Sequence, residues 1–170
     1  MQAEELKQAL AQRRPDWADA LSVEGALCLL TVDRDRLTET ATALKALHGL
    51  PFHYFSFVTA VDHQDHFEVL YCLENLEQGA RLFVRSRAER DDPRMPSLCD
   101  VYLGANWHER ETFDLLGVVF EGHPDLRRIL LPEDFEGHPL RKDYEMSKQA
   151  PKFRGLRERG WLDREETSDE

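Results

Sequence analysis

The spacing of apolar residues along the first half of the chain predicts an alternation of helices and strands. Apolar positions at helical spacing predict a short helix near residues 6–10 and a longer one over residues 37–47. Between them, residues 17–23 and 26–32 predict two strands joined by a turn at Glu24-Gly25. The second helix is the more clearly marked of the two, because a glycine and a proline end it.

A three-stranded meander is predicted next. Residues 52–61 are rich in aromatic and β-branched side chains, and residues 66–73 alternate, with four large apolar side chains on one face. Polar turns lead into and out of this second segment, and residues 81–87 supply a third strand. The order α-β-β-α-β-β-β predicts an α+β fold of two layers, in which a mainly antiparallel sheet carries its helices on one face.

The pattern changes after residue 90. Asn106 is predicted to cap a short helix, with Glu109 as its capping-box partner and Gly117 at its end. Residues 118–144 follow neither the helical nor the strand period, yet they are rich in apolar side chains between glycines and prolines. An apolar connection of this length is expected to pack on its own core or on another chain. We therefore divide the chain into a core, a helix with a docking segment, and an extended charged tail: residues 1–90, 91–144 and 145–170.

The net charge argues against nucleic acid as a partner, and the hydropathy argues against a membrane span. The net charge of −11 argues against nucleic acid as the main partner, because phosphate contacts need a basic surface. No apolar run approaches the roughly 20 residues that span a bilayer, and the polar N-terminus resembles no signal peptide. We expect a cytoplasmic protein that reaches a membrane only through partners. Residues 141–160 are mainly basic, which fits either contact with an acidic partner or an ordinary solvated tail.

The sequence predicts neither a cofactor nor a metal site in this chain. The three cysteines are far apart and lie in apolar contexts, so we interpret them as buried side chains in a reducing compartment. No glycine-rich nucleotide motif occurs, and Trp161 stands where a phosphate-binding loop would need lysine. His63 and His66 lie beside Asp62 and Asp65, a set that is more typical of a polar turn than of a metal site.

The predicted helix after Asn106 carries paired charges. At 100° per residue, Trp107, Arg110, Glu111 and Asp114 fall on one side, opposite Phe113 and Leu116, and Arg110 and Asp114 have the spacing of an ion pair. No nucleophile or oxyanion donor accompanies these carboxylates, so we predict no catalytic residue. The tetrapeptide Glu-Gly-His-Pro then occurs twice, at residues 121–124 and 136–139, which predicts either two matched bends or two unrelated turns.

Three runs of sequence carry a family resemblance. They are Asn106-Trp-His-Glu-Arg-Glu-Thr-Phe-Asp-Leu-Leu-Gly117, Gly122-His-Pro-Asp-Leu-Arg-Arg-Ile-Leu-Leu-Pro132 and Glu136-Gly-His-Pro-Leu-Arg-Lys-Asp-Tyr144. Together with the strands at residues 55–62 and 67–71 and the run at residues 96–100, they resemble the C subunit of proton-pumping NADH:quinone oxidoreductase, respiratory complex I. The likeness covers roughly residues 25–145.

The resemblance implies a docking subunit without a catalytic site, cofactor or metal of its own. Members of this family lie in the hydrophilic arm of the complex and pack against the large D subunit near the quinone site. NADH, FMN, iron–sulfur clusters and quinone are held by partner subunits. The resemblance implies a peripheral position on the cytoplasmic side of the cell membrane. The residues expected at the partner interface are Trp107, Glu109, Arg110, Glu111, Asp114, His123, Arg127, Arg128, His138, Arg141, Lys142 and Tyr144.

Two alternatives remain at this stage. The first is a homologous subunit of a membrane-bound hydrogenase, or of a ferredoxin- or deazaflavin-fed quinone reductase. The second belongs to another class: a free-standing hydrolase that uses His123 and His138 with the carboxylates of Glu109, Glu111 and Asp114.

Overall fold

The computed structural model describes residues 1–145 and builds them into a five-stranded sheet, a two-stranded ladder and three α-helices. The predicted tail lies outside these residues, apart from Glu145. No helix among the described residues is both long and apolar enough to cross a bilayer. The helices are α1 (Ala3–Arg13), α2 (Leu37–Lys45) and α3 (Ala105–Leu116), and the strands are β1 (Leu21–Glu24), β2 (Leu27–Thr31), β3 (Tyr54–Asp62), β4 (His66–Asn75), β5 (Ala80–Glu89), β6 (Arg94–Pro96) and β7 (Val119–Glu121).

The large sheet confirms the predicted α+β class. Its strand order is β1-β2-β5-β4-β3, and every neighbouring pair is antiparallel except β2 and β5. The predicted meander is present as β3-β4-β5, and the predicted first hairpin is present as β1-β2, with Gly25 in the left-handed region at φ 60°. The parallel pairing places β2 beside β5, with Leu30 opposite Val84.

The core lies between the sheet and the helices. Alternation along β4 buries Phe67, Val69, Tyr71 and Leu73 completely, as the sequence predicted. The same buried cluster includes residues from α1, α2 and α3 and extends to Phe120. The opposite face of the sheet is more polar and carries ion pairs between neighbouring strands.

Two local predictions were wrong, and one pair of strands was not predicted. Residues Pro15–Ala20 form a 3-10 turn rather than the start of a strand, because proline at the first position suits a helical turn. Asn106 does not cap α3: the helix begins one residue earlier, at Ala105, without a side-chain cap. Glu109 is therefore not a capping-box partner. The parallel ladder of β6 and β7 was not predicted at all, since each strand has only three residues.

Candidate partner interface

One buried carboxylate of helix α3 accepts several hydrogen bonds from the segment that follows the helix. Asp114 Oδ2 accepts hydrogen bonds from the backbone N–H groups of Ile129, Leu130 and Leu131, at 3.1, 2.8 and 2.9 Å. Its other oxygen lies 2.8 Å from Arg128 Nη1. Burial alone would raise the pKa of Asp114, but these donors hold the pKa below its usual value. The docking segment, residues 118–144, is thus bound to its own helix.

Two arginines complete this attachment. Arg128 donates onward to the carbonyl oxygens of Phe135 and Gly137, at 3.1 and 3.0 Å, so one guanidinium joins the helix to two parts of the segment. Arg110 donates to the carbonyl oxygens of Arg127 and Arg128, at 3.2 and 3.4 Å. Both guanidinium groups therefore position backbone, a task for which their planar array of donors is suited.

The repeated Glu-Gly-His-Pro tetrapeptide forms two similar bends. Gly122 and Gly137 both have positive φ, at 82° and 84°, a conformation that favours glycine. The histidine after each glycine contacts a carbonyl oxygen of α3: His123 Nε2 lies 3.1 Å from the oxygen of Asn106, and His138 Nδ1 lies 2.9 Å from that of Asp114. The structure thus shows matched bends, the first of the two alternatives, and they attach the segment at the two ends of the helix.

The C-terminus of α3 is closed by this segment. Arg141 Nε donates to the carbonyl oxygen of Leu116 at 2.6 Å, and a second nitrogen lies 3.4 Å from that of Gly117. A cation at this position also complements the helix dipole. Gly117 ends the helix with φ 75°, as predicted, and a Cβ added there would overlap the side chains of Arg141 and His138. Only glycine allows this close approach.

A second carboxylate fixes the end of the segment to the sheet. Asp62, at the end of β3, accepts a hydrogen bond from the backbone N–H of Lys142 at 2.9 Å. Arg90 lies 2.6 Å from Asp62 and 2.8 Å from Asp143. Burial would raise the pKa of Asp62, but Arg90 and the amides of Lys142 and Gln64 lower it to about 2.

Glu109 is itself fully buried and belongs to a different cluster. Its carboxyl group accepts hydrogen bonds from the backbone N–H of Leu98 at 2.7 Å and from the hydroxyl of Ser97 at 2.6 Å. The thiol of Cys99 lies 3.5 Å from the same carboxyl group. Burial raises the pKa of Glu109 despite these donors. The cluster connects α3 to the loop after β6.

Several apolar side chains near this assembly face solvent. Leu103 is 91% exposed, Trp107 is 65% exposed, and Leu130 on the docking segment is 60% exposed. The guanidinium of Arg110, which holds the segment, lies 5.0 Å from the centre of the Trp107 ring. Tryptophan is enriched among the residues that contribute most to protein–protein binding. We call Leu103, Trp107 and Leu130 the apolar contact surface.

The twelve residues expected at the interface divide into three groups. Glu109, Arg110 and Asp114 are buried; they position the segment and offer a partner no accessible side chain. Half-buried residues are His123, Arg128, His138, Arg141 and Tyr144, and exposed residues are Trp107, Glu111, Arg127 and Lys142.

The predicted pairing on this helix face was wrong, and the four residues of the face differ in burial. Trp107 and Glu111 face solvent, whereas Arg110 and Asp114 are buried. The ion pair that Asp114 forms among residues 1–145 is with Arg128, not with Arg110. Arg110 and Asp114 each turn toward the docking segment, because that segment offers more hydrogen-bonding groups than a neighbour one helical turn away.

The residues of the hydrolase alternative do not form one site. Glu111 is exposed, Asp114 is occupied by four donors, and His123 and His138 contact the helix at Asn106 and Asp114 respectively. Cys99 and Glu109 do lie near His123, but burial raises the pKa of the Cys99 thiol to about 11, which opposes formation of a nucleophilic thiolate. The three cysteines are free and buried, as expected.

Sequence reasoning missed two features of this region. It did not find Asp62 and Arg90 as anchors, although an acidic residue ending a strand was visible. It considered His63 and His66 for metal binding, and these rings stack at 4.8 Å. It did not consider Cys99 with Glu109 and His123, whose separation along the chain follows no metal-binding motif.

Comparison with known proteins identifies related chains. The family model described as "Respiratory-chain NADH dehydrogenase, 30 Kd subunit" matches residues 30–150. The NADH-quinone oxidoreductase C subunit of Chlorobium phaeobacteroides is 40% identical over 154 residues, 84% of this chain and 92% of that protein. NADH-quinone oxidoreductase subunit 5 of Thermus thermophilus is 40% identical over 137 residues, 74% of this chain and 65% of that protein. The chain thus spans just under two thirds of the Thermus relative's length.

Two solved structures share the fold. The trypsin-resistant fragment (1-134) of Nqo5 superposes with a TM-score of 0.60 and 32% identity, covering 71% of this chain and 98% of the fragment. A chain of the membrane-bound sulfane sulfur reductase, an archaeal respiratory membrane complex, superposes with a TM-score of 0.70 and 27% identity. That alignment covers 98% of this chain and 97% of the other.

Proposed function

Because the chain belongs to the family of the 30 kDa subunit of respiratory-chain NADH dehydrogenase, we propose that it is a docking subunit of a proton-pumping NADH:quinone oxidoreductase. In this proposal the chain holds no redox group and contributes no catalytic residue. It packs against the large D subunit near the quinone site, in the hydrophilic arm on the cytoplasmic side of the membrane. NADH, FMN, iron–sulfur clusters and quinone belong to the partner subunits.

The observation that carries the proposal is the way α3 presents the docking segment. Arg110 and Asp114 hold residues 127–131 by their backbone, which leaves the Leu130 side chain free to face outward. Trp107 faces solvent from the first turn of the same helix, and Leu103 does so just before the helix begins. The charged groups of Arg110, Asp114 and Arg128 bond within the chain, whereas the apolar side chains of Leu103, Trp107 and Leu130 face solvent. A rigid surface of this kind suits a permanent subunit contact.

A second candidate is a homologous subunit of another respiratory membrane complex, such as a membrane-bound hydrogenase or a ferredoxin- or deazaflavin-fed quinone reductase. The likeness to the chain of the sulfane sulfur reductase favours it, because that alignment extends over nearly all of both chains. The two candidates predict the same docking surface and differ in the electron donor. Native mass spectrometry of the purified complex distinguishes them, since it identifies whether NADH-binding subunits accompany this chain.

The docking surface is tested by exchanging one exposed leucine at a time. Leu130→Ala removes an apolar side chain from the apolar contact surface, and Leu76→Ala is a matched control because Leu76 is 57% exposed after β4. We expect Leu130→Ala to reduce recovery of the large partner subunit with the tagged full-length chain by about tenfold, typical of an interface hot spot. We expect Leu76→Ala to leave recovery within about twofold.

Two results would contradict the proposal. Equal recovery of partner subunits with Leu130→Ala, Trp107→Ala and the control would show that the apolar contact surface is not a docking surface. Stoichiometric iron or flavin in the purified full-length chain would contradict the absence of a redox group. Unchanged thermal unfolding of the two leucine variants is the control for folding, because both side chains lie largely in solvent.

A further inference from the structure

Three potential metal ligands meet beneath the first bend of the docking segment. Ligand atoms of Cys99, Glu109 and His123 all lie within 4.8 Å of one another. Each comes from a different part of the fold: the loop after β6, helix α3, and the turn after β7. Cys99 is 8% exposed and Glu109 is fully buried, while His123 is half-buried at the edge of the cluster.

We propose that Cys99, Glu109 and His123 form a binding site for a divalent transition-metal ion, with zinc as the best match. Thiolate sulfur, imidazole nitrogen and carboxylate oxygen are the three donors that zinc accepts in proteins. One thiolate and one carboxylate also balance the two positive charges of the ion. A neutral assembly can be buried, whereas an ion with fewer anionic ligands would not be compensated at this depth.

Zinc binds cysteine as the thiolate and glutamate as the carboxylate. Binding of the ion releases the thiol proton, together with the Glu109 proton wherever that group is protonated, and forms metal–sulfur and metal–oxygen bonds.

The histidine needs one local adjustment. Its Nδ1 accepts a hydrogen bond from the backbone N–H of Asp125 at 2.9 Å, and its Nε2 lies 3.1 Å from the carbonyl oxygen of Asn106. Coordination through either nitrogen replaces one of these two contacts. The ring is half-buried and follows β7 in a turn, so a rotation of this one side chain can free a nitrogen for the ion.

The proposed ion would join three segments that otherwise meet only through hydrogen bonds. This inference does not depend on the proposed docking function. It concerns a structural ion rather than a redox centre, and it revises the sequence-based expectation that the chain has no metal site.

Cobalt(II) titration of the metal-free full-length chain tests the site. We expect a sulfur-to-cobalt charge-transfer band and strong visible absorption, typical of tetrahedral coordination with a thiolate, that saturate at one equivalent and disappear when zinc is added. Cys99→Ser should remove the charge-transfer band and weaken zinc binding by more than about 100-fold, because even the loss of an outer-shell partner costs roughly 10- to 100-fold. His123→Gln should weaken binding similarly.

Cys72→Ser is the matched control. Its sulfur also lies near a glutamate, 3.8 Å from Glu74, but no histidine completes that group within the described residues. The control should keep the full cobalt spectrum. If Cys99→Ser does not fold, the unsubstituted chain provides a second test. Zinc should slow the alkylation of Cys99, which peptide mass spectrometry locates, and should leave the alkylation rate of Cys72 unchanged.

Three outcomes would overturn the proposal. One is the absence of a charge-transfer band with one equivalent of cobalt. Another is a band that survives in Cys99→Ser or disappears in Cys72→Ser. The third is alkylation of Cys99 at the same rate with and without zinc. Normal co-purification of partner subunits with a chain that binds no zinc would refute the metal site and leave the docking function intact.

Discussion

Asp114→Asn separates the attachment of the docking segment from the stability of the fold. The substitution keeps the size of the side chain and removes its charge. Asp114 Oδ2 accepts three backbone N–H groups, while Oδ1 accepts Arg128. Asparagine has one acceptor oxygen, so its amide N–H groups must point either at the three backbone donors or at the guanidinium. Either orientation leaves donors facing donors.

The expected magnitude follows from burial. Removing one partner of a buried ion pair costs about 3–5 kcal/mol. Asp114 is fully buried, but the Arg128 side chain retains 17% exposure, so the lower part of this range applies. The loss falls on the contact between α3 and residues 128–131, because these residues supply the hydrogen bonds that the carboxylate accepts. A loss of about 3 kcal/mol corresponds to a more than 100-fold larger population of the detached segment.

Amide hydrogen exchange measures this population directly. We expect exchange at Ile129, Leu130 and Leu131 to accelerate by about 100-fold in Asp114→Asn, while the buried amide of Val69 in β4 keeps its rate. Glu111→Gln, a neutralised exposed carboxylate on the same helix, serves as the control and should change neither. Unchanged exchange at residues 129–131 would refute the reasoning, and so would equal acceleration at Val69, which would indicate global unfolding.

Three further predictions concern acid, a glycine and an arginine. The pKa of Asp62 is about 2 against an ordinary 3.8, so its carboxylate stabilises the fold above pH 4 and this contribution is lost as the pH falls toward 2. Between pH 5 and pH 2, denaturant titrations should show that the unfolding free energy falls by about 2 kcal/mol more for the unsubstituted chain than for Asp62→Asn. Equal falls in the two proteins would contradict this. Gly117→Ala should lower stability more than Gly25→Ala, because the added Cβ overlaps Arg141 and His138 at residue 117 but meets no neighbour at residue 25, where only the cost of about 1 kcal/mol for a positive φ applies. Thermal unfolding compares the two variants, and equal losses would show that the side chains around Gly117 move aside without cost. Arg110→Ala should lower the unfolding free energy by only about 1 kcal/mol, because it removes two long hydrogen bonds. Recovery of partner subunits with the folded variant should nevertheless fall, and a loss of recovery no larger than the loss of folded protein would count against a docking role.

The meander could be predicted from the sequence because the patterns that specify it lie within short segments of the chain. Alternation along β4 determines which face is buried, and short polar turns determine that neighbouring strands are antiparallel. The pairing of β2 with β5 is not local, since many segments with the same pattern could compete for that edge. The 3-10 turn at residues 15–20 was missed for another reason: its apolar side chain, Trp17, is equally compatible with a strand.

The docking segment was predicted to pack on a surface, but the residues that hold it there were not predicted. Its apolar content and its glycines showed that it must pack on a surface, and the repeated tetrapeptide showed where it bends. The partner of Asp114 could not be predicted, because a pair one helical turn apart contributes only about 0.2–0.5 kcal/mol, less than four donors from a distant segment. The grouping of Cys99 with Glu109 and His123 likewise depends on how α3 lies against the loop after β6.

The parallel pairing of β2 with β5 has a consequence for how the chain folds. Thr31 and Arg85 are 54 positions apart, and the meander strand β5 must be in place before β2 can pair with it. Local contacts form first, because closing a long loop costs entropy that short hairpins avoid. During synthesis, the β1-β2 hairpin leaves the ribosome before β5. Until β5 has emerged, one backbone edge of β2 has no strand partner. That edge is the point at which premature strand pairing between nascent chains would begin.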